Sequence, residues 1–208
     1  MTQPTANCPN CGAKIIFRWS SSVQTVCQYC KSILIRTDID LQKVGQVADL
    51  PPNSSPIQVG TEGIYNRQAF TVVGRILYEY DLGTWNEWHL VLNNGSAWLS
   101  DAQDDYVVTF AAPGRKLPTQ CKVEQYYTWD NETYTVTTIT KADYRGVEGE
   151  LPFQYWDKQE VVFVDLMSAS GKFATVDYSD EAPALYLGES VDFDSLKLKN
   201  LRSFEGWS

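Results

Sequence analysis

The chain has 208 residues, 43% of them hydrophobic and 13% aromatic, and a formal net charge of −9 at pH 7. This composition predicts a globular protein and excludes disordered and collagen-like chains. No apolar run approaches the roughly 20 residues of a membrane-spanning helix, so we expect no transmembrane segment. The start of the chain, Met1-Thr2-Gln3-Pro4, does not resemble a secretion signal, and we expect a cytoplasmic protein.

Two C-x₂-C pairs lie near the start of the chain, Cys8 with Cys11 and Cys27 with Cys30. This spacing is typical of a tetrahedral Cys₄ zinc site, and Gly12 after the first pair tolerates a positive φ. All four ligands would be thiolates, which leaves no coordination position for water. We therefore predict one structural zinc ion instead of a Lewis-acid centre. Iron, a redox dithiol and a disulfide pair are the alternatives.

Short strands are expected around these cysteines, at residues 14–19, 23–26 and 33–35, with a turn at 20–22 between the first two. The pattern predicts a zinc ribbon over residues 1–37. A segment of this size has too small an apolar core to fold without its metal. Replacing Cys11 or Cys27 by Ser should therefore release the metal and unfold the ribbon, while the rest of the chain stays folded.

The charges are unevenly distributed along the chain. All 26 Asp and Glu residues lie in residues 38–208, together with 13 of the 17 Lys and Arg residues. Such an acidic body, without a basic cluster, argues against binding to nucleic acid or to anionic lipid. Zinc ribbons do bind nucleic acid in other proteins, so a nucleic-acid-binding ribbon is kept as one alternative function.

Residues 38–56 are predicted to be a linker, because the prolines and turn formers at 49–56 lack any periodicity. Strands are then expected at 60–65, 70–78 and 87–92. The hairpin signal Asn93-Asn94-Gly95 follows the last of these and precedes a return strand. We predict a first small β module over residues 57–115.

Three segments of this module are matched later in the chain, in the same order. The pairs are 70–76 with 134–139, 88–92 with 162–166, and 94–99 with 170–175. We predict a second, related module over residues 116–192 and a C-terminal extension over 193–208. The expected fold is therefore mainly β, a zinc ribbon followed by two related small antiparallel modules that are barrel-like or SH3-like. Coincidence among β-rich segments is the alternative to a repeat.

At Trp85-Asn86-Glu87-Trp88-His89-Leu90, in the strand 70–76 and at Glu148-Gly149-Glu150-Leu151-Pro152, the chain resembles a bacterial family called domain of unknown function 4178. Residues 44–51 and 174–178 share the resemblance. It implies no catalytic residues. It implies a bacterial context that includes aminopropyltransferase-like and phage-shock-type membrane-remodelling proteins. A role linked to polyamines or membrane stress follows, with membrane contact only through a partner.

Five residues form the candidate functional surface: Trp85, Glu87, His89, Glu148 and Glu150. His89 is the only histidine, and strand alternation places Glu87 and His89 on one face, opposite Trp88. Such a Glu–His pair is suited to general-base catalysis, whereas a hydrogen-bonded strand histidine is the alternative. Trp88 and Trp98 are predicted core residues.

We hypothesise that the protein is a non-enzymatic adaptor or scaffold whose β modules bind a protein partner and whose ribbon adds rigidity or a second contact. One alternative is a hydrolase or transferase that uses His89 and nearby carboxylates. The other is the nucleic-acid-binding ribbon protein. The four cysteines carry no catalytic role in any of these three hypotheses.

Overall fold

The computed structural model describes residues 4–37, 40–47, 50, 55–155 and 160–203. These residues form fifteen β-strands and one short 3₁₀ helix, Phe193–Leu196. Within the described ranges, no helix is long and apolar enough to cross a bilayer. Parts of the predicted linker, at 48–49 and 51–54, and the end of the predicted extension, at 204–208, lie outside the described residues.

Five strands belong to the N-terminal region. They are β1 (Thr5–Asn7), β2 (Lys14–Ile16), β3 (Gln24–Val26), β4 (Ser32–Arg36) and β5 (Leu41–Gln46). β1 pairs with β2 in a small two-stranded sheet, whereas β3, β4 and β5 pair in that order at one edge of the main sheet. The ribbon strands are therefore divided between two sheets.

Two sequence expectations for this region need correction. The predicted hairpin of residues 14–19 with 23–26 does not form, because β2 pairs with β1 while β3 pairs with β4 and with a strand of the main body. The predicted linker also contains a strand, because the backbone of β5 pairs with the edge of β4. Edge strands expose unpaired backbone groups, and β5 satisfies those of β4.

The main body contains two successive antiparallel meanders of five strands each. The first comprises β6 (Glu62–Tyr65), β7 (Gln68–Tyr80), β8 (Gly83–Leu92), β9 (Gly95–Ala102) and β10 (Asp105–Ala111). The second comprises β11 (Tyr126–Trp129), β12 (Glu132–Leu151), β13 (Glu160–Ser168), β14 (Lys172–Asp177) and β15 (Ala184–Ser190). Tight turns between most neighbours explain the antiparallel order.

The two meanders close into one eight-stranded β-barrel. β7 pairs with β12 and β10 pairs with β15, both antiparallel, and these two seams join strands β7–β10 to strands β12–β15. β6 and β11 each extend the first barrel strand of their own half as a hairpin. The predicted mainly β, antiparallel and barrel-like architecture is confirmed, with both halves contributing to the same barrel.

The segments matched in the sequence occupy equivalent strands of the two halves. They lie on β7 and β12, on β8 and β13, and on β9 and β14. A β-bulge interrupts the pairing between Val72 and Gly74, and another does so between Val136 and Thr138, 64 residues later. Conserved placement of a bulge is a feature of related strands. These equivalences favour a duplication, and the module boundaries 57–115 and 116–192 stay predictions.

Each barrel strand presents one face to the interior and one to an outer core. On β8, Trp88, Leu90 and Leu92 face an outer apolar cluster that the C-terminal segment covers through Leu196. The second half has its own outer cluster, covered by Trp129. The prediction that Trp88 is a core residue is therefore confirmed. Burying each large apolar side chain stabilises the fold by about 1.5–3 kcal/mol.

Candidate metal centre and barrel cavity

The two C-x₂-C turns adopt the same geometry. The backbone N–H of Gly12 donates to the carbonyl of Cys8 at 2.8 Å, and that of Lys31 donates to the carbonyl of Cys27 at 2.9 Å. Both donors have positive φ, +75° at Gly12 and +57° at Lys31. Lysine therefore occupies the left-handed position of the second turn, where glycine would carry no steric penalty.

The four thiol sulfurs lie within 4.8 Å of one another and can hold a metal ion. Sγ of Cys8 lies 3.7 Å from Sγ of Cys30, and the same distance separates Cys11 from Cys27. A tetrahedral site with metal–sulfur bonds of about 2.3 Å requires sulfur–sulfur separations of about 3.8 Å. A disulfide would need about 2.05 Å, so these pairs fit a shared ion and not a covalent bond.

Glu150 joins the ribbon to the barrel. Its buried carboxylate accepts hydrogen bonds from the backbone N–H groups of Arg18 at 2.7 Å and Trp19 at 3.0 Å, and from the Ser22 hydroxyl. The adjacent Leu151 pairs with β3 in the main sheet. Charge-assisted hydrogen bonds of this kind are stronger than neutral ones. The ribbon is thus held to β12 by a buried anion as well as by strand pairing.

His89 lies in the same junction and is fully buried. Its Nδ1 is 2.9 Å from the Glu150 carbonyl, which can only accept, so Nδ1 carries the proton. Trp19 and Trp98 pack on the imidazole ring, with centroids 5.0 and 5.1 Å away. Burial lowers the pKa of His89 to about 4. The imidazole is therefore a weak base and is shielded from solvent, and both properties are unfavourable for general-base catalysis.

Glu148 lies apart from the other candidate residues. Its half-exposed carboxylate forms an ion pair with the guanidinium of Arg75 at 3.1 Å. Arg75 is itself buried, donates to Asn86 Oδ1 at 2.7 Å and packs over the ring of Trp88. The ion pair therefore anchors a buried cation on the outer side of the barrel.

The barrel encloses a cavity of about 820 Å³, lined by residues of all eight barrel strands. Trp85 and Glu87 belong to its wall. The five candidate residues are thus divided among three places: Trp85 and Glu87 in the cavity, His89 and Glu150 in the ribbon junction, and Glu148 in the outer ion pair. Aromatic rings dominate the cavity wall. They belong to Tyr78, Tyr80, Trp85, Trp98, Tyr106, Phe153, Phe163, Phe173, Tyr186 and Phe193.

All charged side chains of the cavity wall are acidic. Its carboxylates are those of Glu87, Asp104, Asp105, Asp165, Asp177 and Asp192. No Lys, Arg or His is found among the described residues that line it. Asp104, Asp105 and Asp192 are exposed to solvent, whereas burial affects Glu87 and Asp165 strongly. Solvent screening is therefore weak only for the acids inside the barrel.

Glu87 is held in a fixed position by its neighbours. Its carboxylate accepts hydrogen bonds from the Ser100 hydroxyl at 2.8 and 2.9 Å and from Trp85 Nε1 at 3.0 Å. Burial, with smaller contributions from the charges of Asp165 and Asp177, raises the pKa of Glu87 to about 8, although the hydrogen bonds from Ser100 and Trp85 lower it. Burial likewise raises the pKa of Asp165 to about 6. Perturbed carboxyl groups in a cavity are typical of functional sites.

Sequence reasoning identified Glu87 but missed Asp165. Asp165 interrupts the apolar strand β13, and such a lone acid in a buried strand was a usable signal. The repeat gives a second signal, because Thr138 pairs with Asp165 where Gly74 pairs with His89. In the strand pairing Asp165 therefore occupies the position of His89, which shifts the sequence match of 88–92 with 162–166 by two residues.

Comparison with known proteins identifies the family to which the barrel region belongs. The family model described as Domain of unknown function (DUF4178) matches residues 58–193, which contain every strand from β6 to β15. No curated protein and no solved structure matches the chain. The matched region includes the whole cavity wall and leaves out the four cysteines. Because this match covers well over half of the chain, the protein belongs to the DUF4178 family.

Proposed function

We propose that this protein is a non-enzymatic binding protein that holds a small molecule inside its barrel. The observation that carries the proposal is the cavity of about 820 Å³. Small-molecule sites typically have volumes of about 300–1,000 Å³, mostly apolar or aromatic walls and a few fixed polar groups. The aromatic wall and the hydrogen-bonded Glu87 carboxylate meet these criteria.

The enzyme alternative that depends on His89 receives no support from its surroundings. The imidazole is buried between Trp19 and Trp98 and does not line the cavity. A general base must come within hydrogen-bond reach of the proton that it removes. A binding protein needs no such group.

We propose a single structural zinc ion at Cys8, Cys11, Cys27 and Cys30. The sulfur separations of 3.7 Å suit the bond lengths of zinc thiolates, and four thiolates leave no position for a reactive water. The ion would fix the fold of the ribbon, whose own apolar cluster is small. We place this function in the cytoplasm of a bacterium, where reduced thiols are available as ligands.

A neutral fluorescent probe tests cavity binding directly. We expect N-phenyl-1-naphthylamine to bind the zinc-loaded full-length chain at one site, with an increase in its fluorescence. Ala102 lines the cavity, so Ala102→Trp should weaken this binding by about tenfold or more by filling space. Ala111→Trp is the matched control, because Ala111 is exposed and lies outside the wall. Equal binding by the Ala102 variant and the wild type would disprove cavity binding.

The adaptor hypothesis stays a second candidate because of the ribbon surface. Tyr29 and Ile16 are large apolar side chains with exposed fractions of 77% and 52%. Exposed aromatic and aliphatic groups of this kind are common at protein interfaces. A double variant, Ile16→Ser with Tyr29→Ser, should lose any partner that the wild type captures from host extract. Retention of the same partner by the double variant would count against this surface.

A further inference from the structure

We propose that the cavity binds an organic polycation, a flexible aliphatic chain that carries two or more ammonium groups. This inference rests on the proposed function of the barrel and names the class of ligand. It follows from four properties of the wall: the sign of its charge, the distribution of its carboxylates, its aromatic rings and a hydroxyl group beside a buried carboxylate.

The charge of the wall selects a cation. Six carboxylates and no basic side chain line the cavity within the described residues. An anionic ligand would meet repulsion from the ionised carboxylates. A cation is attracted by them, most strongly at Asp165 inside the barrel, and would favour the ionised form of Glu87, whose pKa of about 8 otherwise leaves it protonated at neutral pH. The wall therefore favours a positively charged ligand.

The carboxylates form two groups, which favours a ligand with more than one charge. Glu87, Asp165 and Asp177 project from the barrel strands β8, β13 and β14. The second group lies at strand ends: Asp104 in the turn before β10, Asp105 at its first residue and Asp192 just after β15. The acids of the second group are exposed to solvent, whereas those of the first lie inside the barrel. Ammonium groups separated by methylene units can contact carboxylates of both groups at the same time.

The aromatic rings favour an organic cation over a hydrated metal ion. Trp85 stacks on Tyr78 with ring centroids 4.9 Å apart, and Phe163 packs edge-on against both. Aromatic faces attract ammonium groups and pack against methylene units. Magnesium and calcium instead require a shell of oxygen ligands and gain little from aromatic walls.

One hydroxyl group of the wall lies beside a buried carboxylate. Thr175 pairs with Asp165 on the neighbouring strand, and both line the cavity. The Thr175 hydroxyl interacts with the Asp165 carboxylate and lowers the pKa of that group, against the larger effect of burial, which raises it. A hydroxyl oxygen has a second lone pair, so an ammonium N–H can donate to Thr175 while it contacts the adjacent carboxylate.

Isothermal titration of the zinc-loaded full-length chain tests the ligand class. The probes are spermidine, 1,4-diaminobutane, butylamine and the uncharged 1,4-butanediol, with MgCl₂ and CaCl₂ as inorganic cations. We expect one spermidine per chain and an affinity at least about tenfold higher than that of butylamine. We expect no measurable binding of the diol. A divalent metal that binds more tightly than spermidine would overturn the proposal.

Two variants distinguish binding inside the cavity from attraction to the acidic outer surface. Glu87→Gln and Asp165→Asn should each weaken spermidine binding by about tenfold. Asp143→Asn is the control, because Asp143 is exposed on β12 and outside the cavity wall. Circular dichroism verifies that each variant is folded. Equal losses in all three variants would overturn the proposal, since they would show attraction to the surface charge alone.

The neutral probe distinguishes this inference from the function on which it rests. Binding of N-phenyl-1-naphthylamine in the cavity without spermidine binding would overturn only the ligand class and leave the binding function intact. Failure of both probes would contradict the binding function itself. Competition between them, with spermidine displacing the probe, would support both proposals.

Discussion

Glu87 and Glu150 are two acids with different surroundings. Glu150 has donors from three ribbon residues around its carboxylate, so its charge is compensated by the chain itself. Glu87 has donors from Ser100 and Trp85, but burial, together with the charges of Asp165 and Asp177, raises its pKa to about 8. The chain therefore surrounds Glu150 with donors and leaves Glu87 dependent on a proton or a ligand.

Glu87 should make the stability of the ligand-free protein depend on pH. Its folded-state pKa of about 8 exceeds the ordinary value of 4.5, so between these values the folded state holds a proton that the unfolded chain has lost. Stability therefore falls as pH rises through this window. Glu87→Gln removes the effect, and the variant should exceed the wild type by about 2 kcal/mol at pH 9 but not at pH 4.5. Urea denaturation at both pH values measures the difference.

Other titratable groups face Glu87 inside the barrel, so only the difference between variant and wild type is informative. They are Asp165, Asp177, Tyr78 and Tyr186. Glu181→Gln, at an exposed position outside the cavity wall, is the control. A Glu87 variant whose advantage over the wild type is the same at both pH values would contradict the assignment of the pH effect to this residue.

At the scale of elements, β12 organises the molecule. This strand of 20 residues pairs with β11, β13, β7 and β3, and so connects the second half, the first half and the ribbon. The approach of β12 to β7 is close at Gly149, whose φ is +66°. A Cβ atom there would lie 2.1 Å from the carbonyl oxygen of Val73. Position 149 of the Glu148-Gly149-Glu150 motif therefore requires glycine for a steric reason. The two flanking residues are instead explained by the contacts of their carboxylates.

Gly149→Ala should destabilise the barrel by about 2–4 kcal/mol, because the methyl group collides with a backbone oxygen and the residue must keep a positive φ. Gly171→Ala is the matched control. Its φ is +83°, but no atom lies within 4 Å of the added Cβ, so it should cost only about 1 kcal/mol. Chemical denaturation measures both values. Equal losses in the two variants would show that the close contact with Val73 is unimportant.

At the scale of the whole molecule, the ribbon and the barrel share a sheet and a buried anion. β3 pairs with β12 at Glu150 and Leu151. Val26 of β3 belongs to the same apolar cluster as Tyr78 and Trp98 of the barrel. Tyr155 exchanges two hydrogen bonds with the side chain of Gln24. These contacts predict that the folded ribbon contributes to the stability of the barrel. We nevertheless expect the ribbon to unfold before the barrel does.

Removing the metal should therefore affect both parts. Cys11→Ser should release the ion and unfold the ribbon, and the Glu150 carboxylate should then lose its three donors. A buried charge left without partners costs about 1–3 kcal/mol or more, which corresponds to a fall of about 5 °C in the Tm of the barrel. Metal analysis and thermal unfolding followed by tryptophan fluorescence measure these effects.

A second variant tests the route of this coupling. Glu150→Gln should lower the Tm of the zinc-loaded barrel, and adding Cys11→Ser to it should lower the Tm by less than Cys11→Ser does in the wild type. An unchanged barrel Tm after metal loss would support full independence of the two parts. Loss of all structure in one transition would contradict the prediction that the barrel stays folded.

Local patterns in the sequence determined much of the fold. The cysteine spacing identified the cluster of four thiols that can hold a metal ion, and strand alternation correctly placed Trp88 opposite Glu87. The resemblance to the DUF4178 family is confirmed by the match over residues 58–193. These features depend on residues close together in the chain, whose relative positions follow from turn geometry and from the two-residue period of a strand.

Only the tertiary structure decided which distant strands meet. The seams β7 with β12 and β10 with β15 join residues far apart in the chain, and no local pattern specifies such a pairing. Closure of the barrel brings Glu87, Asp165 and Asp177 into one cavity and directs Glu150 to the ribbon backbone. The sequence thus determined the strands and the cysteine cluster, whereas long-range pairing decided the candidate binding site, because a cavity exists only when its walls are assembled.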